Sequence, residues 1–147
     1  MMDPLAAIWT EKRIALTLAL GWAQSGIPYR WGGDDPIRGF DCSGMLSELL
    51  RQVGRLKYNE RLSAAGLYQR FARGFEIMPP VLTGDLLFFG TPVGHCAIAL
   101  DGHSMIEAGG GDSGTDTEDE AARSNAFVRI RPINMRQDLT HVVRLLR

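Results

Sequence analysis

The stretch Asp41-Cys42-Ser43-Gly44-Met45-Leu46-Ser47-Glu48-Leu49-Leu50-Arg51-Gln52-Val53-Gly54 decides how this chain is read. Met45, Leu46, Leu49, Leu50 and Val53 recur at helical spacing, with Ser47, Glu48, Arg51 and Gln52 on the other face. Such a stripe predicts an amphipathic helix from Cys42 to Val53 that lays one side on a core. Asp41 is the expected cap, because its carboxylate can accept from the unpaired N–H groups of the first turn, and Gly54 is the expected stop.

Working outward toward the amino end, the stretch Pro28–Phe40 holds Gly32, Gly33, Pro36 and Gly39 and excludes a regular element. A structured loop is expected there, and loops of this kind carry function. Before it, Thr10 caps a predicted helix that runs to about Gln24, with Glu11 in its first turn and Gly26 and Pro28 ending it. Ile14, Ala15, Leu18, Ala19 and Trp22 cover more than one face, so this helix is expected to be substantially buried. Toward the carboxyl end a third helix is expected over Ser63–Arg73, with Leu67, Tyr68 and Phe71 inward and Gly74 at its end. Pro79 and Pro80 close the helical half.

Beyond the prolines the period changes. Asp85–Phe89, His95–Leu100, Ser104–Ala108, Phe127–Arg131 and His141–Leu145 are short runs suited to strands. Helices followed by strands predict an α+β fold with an antiparallel sheet. Gly109–Asn125, rich in Gly, Ser, Asp and Glu, is expected to be an acidic, mobile surface loop. A chain of 147 residues, 45% hydrophobic, has material for one core, so a single domain over residues 1–147 is expected.

Composition also narrows the function. The formal net charge is −1 and no lysine- or arginine-rich run occurs, which gives nucleic-acid binding no support. Three histidines without HExxH or CxxC spacing offer no metal site, and no cofactor is expected. The apolar run Ile14–Leu20 is too short for a membrane span, and removing it as a secretion signal would destroy the helix before the richest motif. The expectation is a protein made in the cytoplasm without a signal peptide.

A thiol attacks as the thiolate, which a helix amino terminus and a nearby imidazole both favour. Cys42 meets the first condition, although a small thiol at that position could equally well pack. His95, after Gly94 and at the head of Cys96-Ala97-Ile98-Ala99, is the candidate base, or else a structural strand-end histidine. Glu107 stands twelve residues further on, across Asp101-Gly102, and could orient the imidazole as the third member of a triad does. That needs both on one sheet face. A three-residue loop Leu100-Asp101-Gly102, with Gly102 left-handed, is the expected connection; it pairs Ala99 with His103 and sets His95 opposite Glu107. Cys96 is expected to be a buried, neutral strand residue.

Taken together, Tyr29-Arg30-Trp31-Gly32-Gly33, Phe40-Asp41-Cys42-Ser43-Gly44, Gly84-Asp85-Leu86-Leu87-Phe88-Phe89 and Gly94-His95 resemble, in order and spacing, the NlpC-type cell-wall cysteine peptidases. The resemblance covers roughly residues 10–147. It implies a papain-like fold and a peptidoglycan hydrolase that cuts γ-D-glutamyl bonds to diamino acids in the wall's peptide stems. It implies further that Cys42 is the nucleophile, His95 the base, and Tyr29 a neighbour that polarises the attacked carbonyl, or else a buried aromatic whose hydroxyl caps a loop. Asp41 matches a residue that meets a substrate amino group in relatives; that role, the helix cap, or both together are the readings for it. Ser43 in the first helical turn, and Arg61 and Ser63 in an Arg-x-Ser element, are the other candidate substrate contacts. Glu107 departs from the histidine usual at the third position and matches the related CHAP amidase-peptidases. An amidase or thiol acyltransferase on the same nucleophile, and an inactive wall-binding module, are the competing readings. A phage particle, a lysis system or a secretion apparatus is the expected partner that delivers the enzyme to the wall.

Overall fold

The structure, a computed structural model, describes residues 8–147, so the first seven residues of the expected domain lie outside the described ones. Helix α1 (Glu11–Ser25) starts where Thr10 Oγ1 accepts from the Arg13 N–H at 3.2 Å and stops at Gly26, whose φ of 64° an L-residue adopts poorly. Only Ala15 and Ala19 are fully buried in it. The expectation of a substantially buried helix is therefore corrected: α1 packs on the fold's margin, and Leu16, Leu18, Leu20 and Trp22 are only partly covered.

The loop that follows is not wholly irregular. Strands β1 (Asp34–Asp35) and β2 (Gly39–Phe40) form a two-residue antiparallel ladder within it. Helix α2 (Cys42–Gln52) follows, with Met45, Leu46, Leu49 and Leu50 buried as the stripe requires. Each contributes about 1.5–3 kcal/mol of apolar burial relative to exposure. Helix α3 (Ala64–Phe71) begins at its Ser63 cap and ends two residues before the expected Arg73, because the chain turns there and Glu76 N donates to Ala72 O at 2.8 Å.

Six strands complete the fold: β3 (Glu76–Ile77), β4 (Leu86–Phe89), β5 (His95–Ala99), β6 (Ser104–Gly109), β7 (Phe127–Pro132) and β8 (Leu139–Val143). They form one antiparallel sheet in the order β3-β8-β4-β5-β6-β7. Strand β8 starts and ends two residues before the expected His141–Leu145, because Arg144 leaves the sheet to grip the buried Asp85 carboxylate at 2.9 Å with both Nε and Nη2. One sheet face, through Leu86, Phe88, Cys96, Ile98, Ile106, Ala108 and Val128, joins the helices in the main core. The other carries a smaller cluster around Leu87, Phe89, Ala97, Ala99, Met105 and Ile133.

Two expectations about connections are corrected. The β5–β6 ladder pairs Ile98 with Ile106 and Ala99 with Met105, so the loop is Asp101-Gly102-His103 and Ala99 does not face His103. The cause is Asp101, whose Oδ1 accepts from His103 N at 2.8 Å and Ser104 N at 2.7 Å and builds the turn one residue later than expected. Gly102 is not left-handed. The second correction concerns Gly109–Asn125: it contains a short helix α4 (Glu118–Arg123), capped by Thr117, and Thr115 and Ala121 are buried.

Candidate active site

Glycines of the loop before α2 and of the first turn of α2 stand where the two meet. A Cβ on Gly44 would lie 1.8 Å from Gly33 O, and one on Gly33 would lie 2.3 Å from Gly39 O. Only glycine lets the loop rest on the first helical turn, where Asp41 N donates to Gly33 O at 3.0 Å. Asp41 then ties loop and helix together. Its Oδ1 accepts from Gly44 N at 2.7 Å and Arg61 Nη2 at 2.5 Å, and its Oδ2 accepts from Gly32 N at 2.9 Å. Ser43 Oγ donates to Asp41 Oδ1 and accepts from Arg61 Nη1, both at 3.3 Å, while Ser63 Oγ accepts from Gly66 N at 3.0 Å. These four candidate substrate contacts line the cleft, and their side chains are engaged by the protein itself.

Cys42 is the first residue of α2, so its N–H has no partner within the helix and the helix dipole favours a negative charge beside it. His95, the first residue of β5, reaches it from the sheet. His95 Nε2 lies 2.7 Å from Glu107 Oε1. Continuing the observed register, Glu107 falls opposite Ala97 and not opposite His95, yet the pairing sum stays even and both residues keep one face. They meet as diagonal neighbours.

The electrostatics are those of an ion pair. The Cys42 thiol is held well below its ordinary range, first by a hydrogen bond with the Cys96 thiol, against the opposing effect of burial, and then by His95. Burial alone would lower the His95 pKa, but hydrogen bonds with Cys42 and Glu107 outweigh it and push it up to about 9. Burial works to raise the Glu107 pKa, and the bond to His95 together with Arg131 and Arg136 brings it below the usual carboxylate range. An ionised carboxylate only accepts, so Nε2 carries a hydrogen and the other ring nitrogen, Nδ1, is left for the thiol. Cys96 is fully buried and its thiol is pushed well up, first by burial and then by the bond to Cys42.

Tyr29 sits beside this pair, its ring against Gly111, where a Cβ would come within 2.2 Å of Tyr29 Cδ1. Burial, then the charges of Cys42, Asp41 and Asp112, raise its pKa, so the phenol remains a neutral donor. Tyr29, Cys42, His95 and Glu107 all line one cleft of about 880 Å³, within the range that accommodates a short peptide. The cleft also includes Trp31, Asp112, Arg131 and Arg136, which the sequence alone does not single out. Arg129 and Arg131 share the face of Glu107 through the β6–β7 register, and their spacing of two was the available signal; Arg136 follows a 3-10 turn (Ile133–Met135) and carries no such signal.

Among the described residues no three His, Cys, Asp or Glu side chains are grouped to hold a metal, and no helix is long and apolar enough to cross a membrane. Murein DD-endopeptidase MepH of Escherichia coli (strain K12) is 37% identical over 68 residues, 46% of this chain and 24% of that protein. Gamma-DL-glutamyl hydrolase of Bacillus subtilis (strain 168) is 30% identical over 94 residues, 56% of this chain and 20% of that protein. The chain therefore spans a quarter or less of the length of these curated relatives. The crystal structure of the NlpC/p60 domain of peptidoglycan hydrolase SagA superposes with a TM-score of 0.64 at 27% identity, covering 91% of this chain and 98% of that one. Residues 26–131 match the NlpC/P60 family, a span that contains Tyr29, Cys42, His95 and Glu107, and the chain belongs to that family.

Proposed function

We propose that the protein is a peptidoglycan hydrolase, a thiol-dependent endopeptidase acting on the wall's peptide stems, with γ-D-glutamyl-diamino acid bonds as its target. The observation that carries this reading is the Cys42 thiol at a helix amino terminus, coupled to an imidazole anchored at 2.7 Å by an ionised carboxylate. A packing cysteine and a structural histidine have no need of that arrangement inside a cleft. The names of MepH and of the peptidoglycan hydrolase SagA point to the wall as substrate class, and that of the Bacillus subtilis hydrolase to a γ-glutamyl linkage.

The chemistry follows from the geometry. The thiolate attacks the amide carbon, and negative charge develops on the carbonyl oxygen beside the Cys42 N–H and the Tyr29 hydroxyl, two donors suited to stabilise it. The His95 imidazolium gives its Nδ1 proton to the departing amine, leaving an acyl group on Cys42 Sγ. Neutral His95 then takes a proton from water, whose oxygen attacks the thioester carbon; the sulfur leaves as thiolate, the acid product departs, and the thiolate–imidazolium pair is restored. Glu107 holds the ring in place throughout and stabilises its charged form.

Digestion of purified peptidoglycan by the wild type, with new termini identified by mass spectrometry, tests the proposal. New termini at the γ-D-glutamyl bond, absent with Cys42→Ala, are expected. New termini at D,D-cross-links would transfer the bond assignment to the one in MepH's name. A freed amide between sugar and peptide would make the enzyme an amidase, and no new termini would leave a wall-binding module.

A further inference from the structure

Hydrolysis as proposed above fixes which wall of the cleft meets the departing half of the substrate. The imidazolium delivers its proton to the leaving amine, so that residue must lie against His95, on the side away from α2. Val93, Met135, Arg131 and Arg136 line the cleft there. Arg131 Nη1 stands 3.7 Å from Glu107 Oε2, close enough to feel the charge and too far to have its donors used by a hydrogen bond. The Arg136 guanidinium lies 5.0 Å over the Phe89 ring, and Phe89 is the direct cross-strand partner of His95, with ring centroids 5.5 Å apart. Arg136 is thus one aromatic ring away from the base.

This wall carries more positive charge than it neutralises. Glu107 is bonded to His95, and Arg136 donates from Nε and Nη2 to the two oxygens of Asp138, both at 3.2 Å, an exposed pair that a substrate carboxylate would have to displace or join through Nη1. Arg129, opposite Glu107 on β7, keeps a buried Nε without a partner among the described residues. In the cleft, His95 as imidazolium, Arg131 and Arg136 therefore stand with two carboxylates, Glu107 and, beside Arg136, Asp138. On the facing wall the one arginine, Arg61, is closed by Asp41. The other acid, Asp112, belongs to the Tyr29 end.

A guanidinium fork matches a carboxylate in shape and charge. The turn that carries Arg136 is fixed by buried Ile133, whose N–H donates to His103 O at 2.8 Å, so the group is held in place before substrate arrives. Val93 and Met135 offer apolar cover for an aliphatic stem between amine and carboxylate. We propose that Arg131 and Arg136 form a carboxylate-recognition site on the leaving-group side, selecting a departing residue that keeps a free carboxylate near the scissile amide. This rests on the hydrolase reading, which orients the substrate.

The test uses γ-D-glutamyl-diaminopimelate and the same peptide with the diaminopimelate carboxylates converted to carboxamides. Calorimetry on the Cys42→Ala protein reads binding without turnover. The carboxylate peptide is expected to bind about tenfold tighter or more, as charge-assisted bidentate pairing allows. Arg131→Gln and Arg136→Gln should each reduce that ratio, and the double variant should bring it near one. Arg136→Glu, a change at a partly exposed side chain, should invert it, and thermal melts confirm that each variant is folded. Equal binding of the two peptides, no binding of either, or a preference that survives the double variant would each overturn the proposal. Wild-type cleavage of the carboxylate peptide is read separately: its absence beside an intact binding preference would refute the hydrolase and keep the arginine site as a binding site.

Discussion

The two walls of the cleft are built on opposite terms. On the helix wall the polar groups are closed on one another: Asp41 is bonded by Gly32, Ser43, Gly44 and Arg61, and Ser63 caps α3. On the strand wall His95 and Glu107 hold a single bond of 2.7 Å, Arg131 stands 3.7 Å from Glu107 outside hydrogen-bond reach, and Arg136 is paired with the exposed Asp138. The contrast teaches that residues quoted together in one motif divide by use. Those next to Cys42 are tied into the fold by their own hydrogen bonds, and those across from it are the groups to which the proposed chemistry assigns the proton, its anchor and the reading of substrate charge.

The largest expected effect is on the pair that joins the walls. Cys42→Ala and His95→Ala should each reduce kcat/KM about 10⁴-fold or more, since members of a catalytic unit fail together. Both variants should still fold, because both residues stand at element ends and neither is in the fully buried core, with a lower Tm for His95→Ala, which leaves the buried Glu107 without its partner. Cys42→Ser should fail as well. Near wild-type turnover in either alanine variant would remove the strand wall's assigned role.

A paired measurement then sharpens the division between walls. Glu107→Gln keeps the shape and loses the charge that steadies the imidazolium, so kcat should fall about 10²–10⁴-fold with little change in stability. Asp41→Ala should do the reverse in kind. It removes a helix cap worth about 0.5–2 kcal/mol and leaves Arg61 unpaired, which for a chain of this size corresponds to a drop of several degrees in Tm. Turnover and melting measured on both variants decide the matter. An Asp41→Ala protein that melts like wild type but has lost turnover would make Asp41 a substrate contact and blur the contrast.

How much of this was legible in the sequence follows the same line. Alternation and helical spacing are local signals, so α2, α3 and the main strands stand close to where the residues place them. Face-sharing of His95 and Glu107 was readable too, because parity survives a shift of two residues. The register itself was not, since it depends on Asp101 closing the turn with its own side chain. Nor was the order in Gly109–Asn125, where Thr115 O accepts from Trp31 N at 2.8 Å, a contact 84 residues apart in sequence that no local composition reveals. Arg136 joined the site through a turn for which the chain gives no periodic cue.

The pH dependence should show both walls at once. Cys42 has a lowered pKa, so its thiolate is present above that value and is lost as pH falls through it, giving an acid limb below the ordinary cysteine range. His95 has a raised pKa, so its imidazolium persists as pH rises and is lost near 9, giving the alkaline limb. In stability the same His95 shift contributes fully below its unfolded pKa and is lost as pH rises through about 9. Glu107→Gln should move the alkaline limb of kcat/KM downward, because a group that raises the His95 pKa has lost its charge. A limb that stays at the wild-type position would separate Glu107 from the base.

The smallest expected effect concerns the two thiols, which lie against each other and differ only in environment. Cys42 is partly exposed at a helix amino terminus beside an imidazolium; Cys96 is fully buried on the core face of β5. At about pH 6 an unperturbed thiol is well under 1% ionised, so brief treatment with iodoacetamide should label Cys42 and leave Cys96 almost untouched. His95→Ala should slow the labelling, since the thiolate then keeps the helix terminus and Cys96 but not the imidazolium. Cys96→Val should slow it too: the S–H that hydrogen-bonds the thiolate is removed while the core volume is nearly kept, and Cys42's pKa should rise toward its ordinary value. Unfolding should make the two thiols of the wild type equally reactive. Peptide mapping after labelling reads every case. Equal native labelling would mean that Cys42 is not activated, and an unchanged rate in Cys96→Val would show that the strand wall reaches the nucleophile through His95 alone.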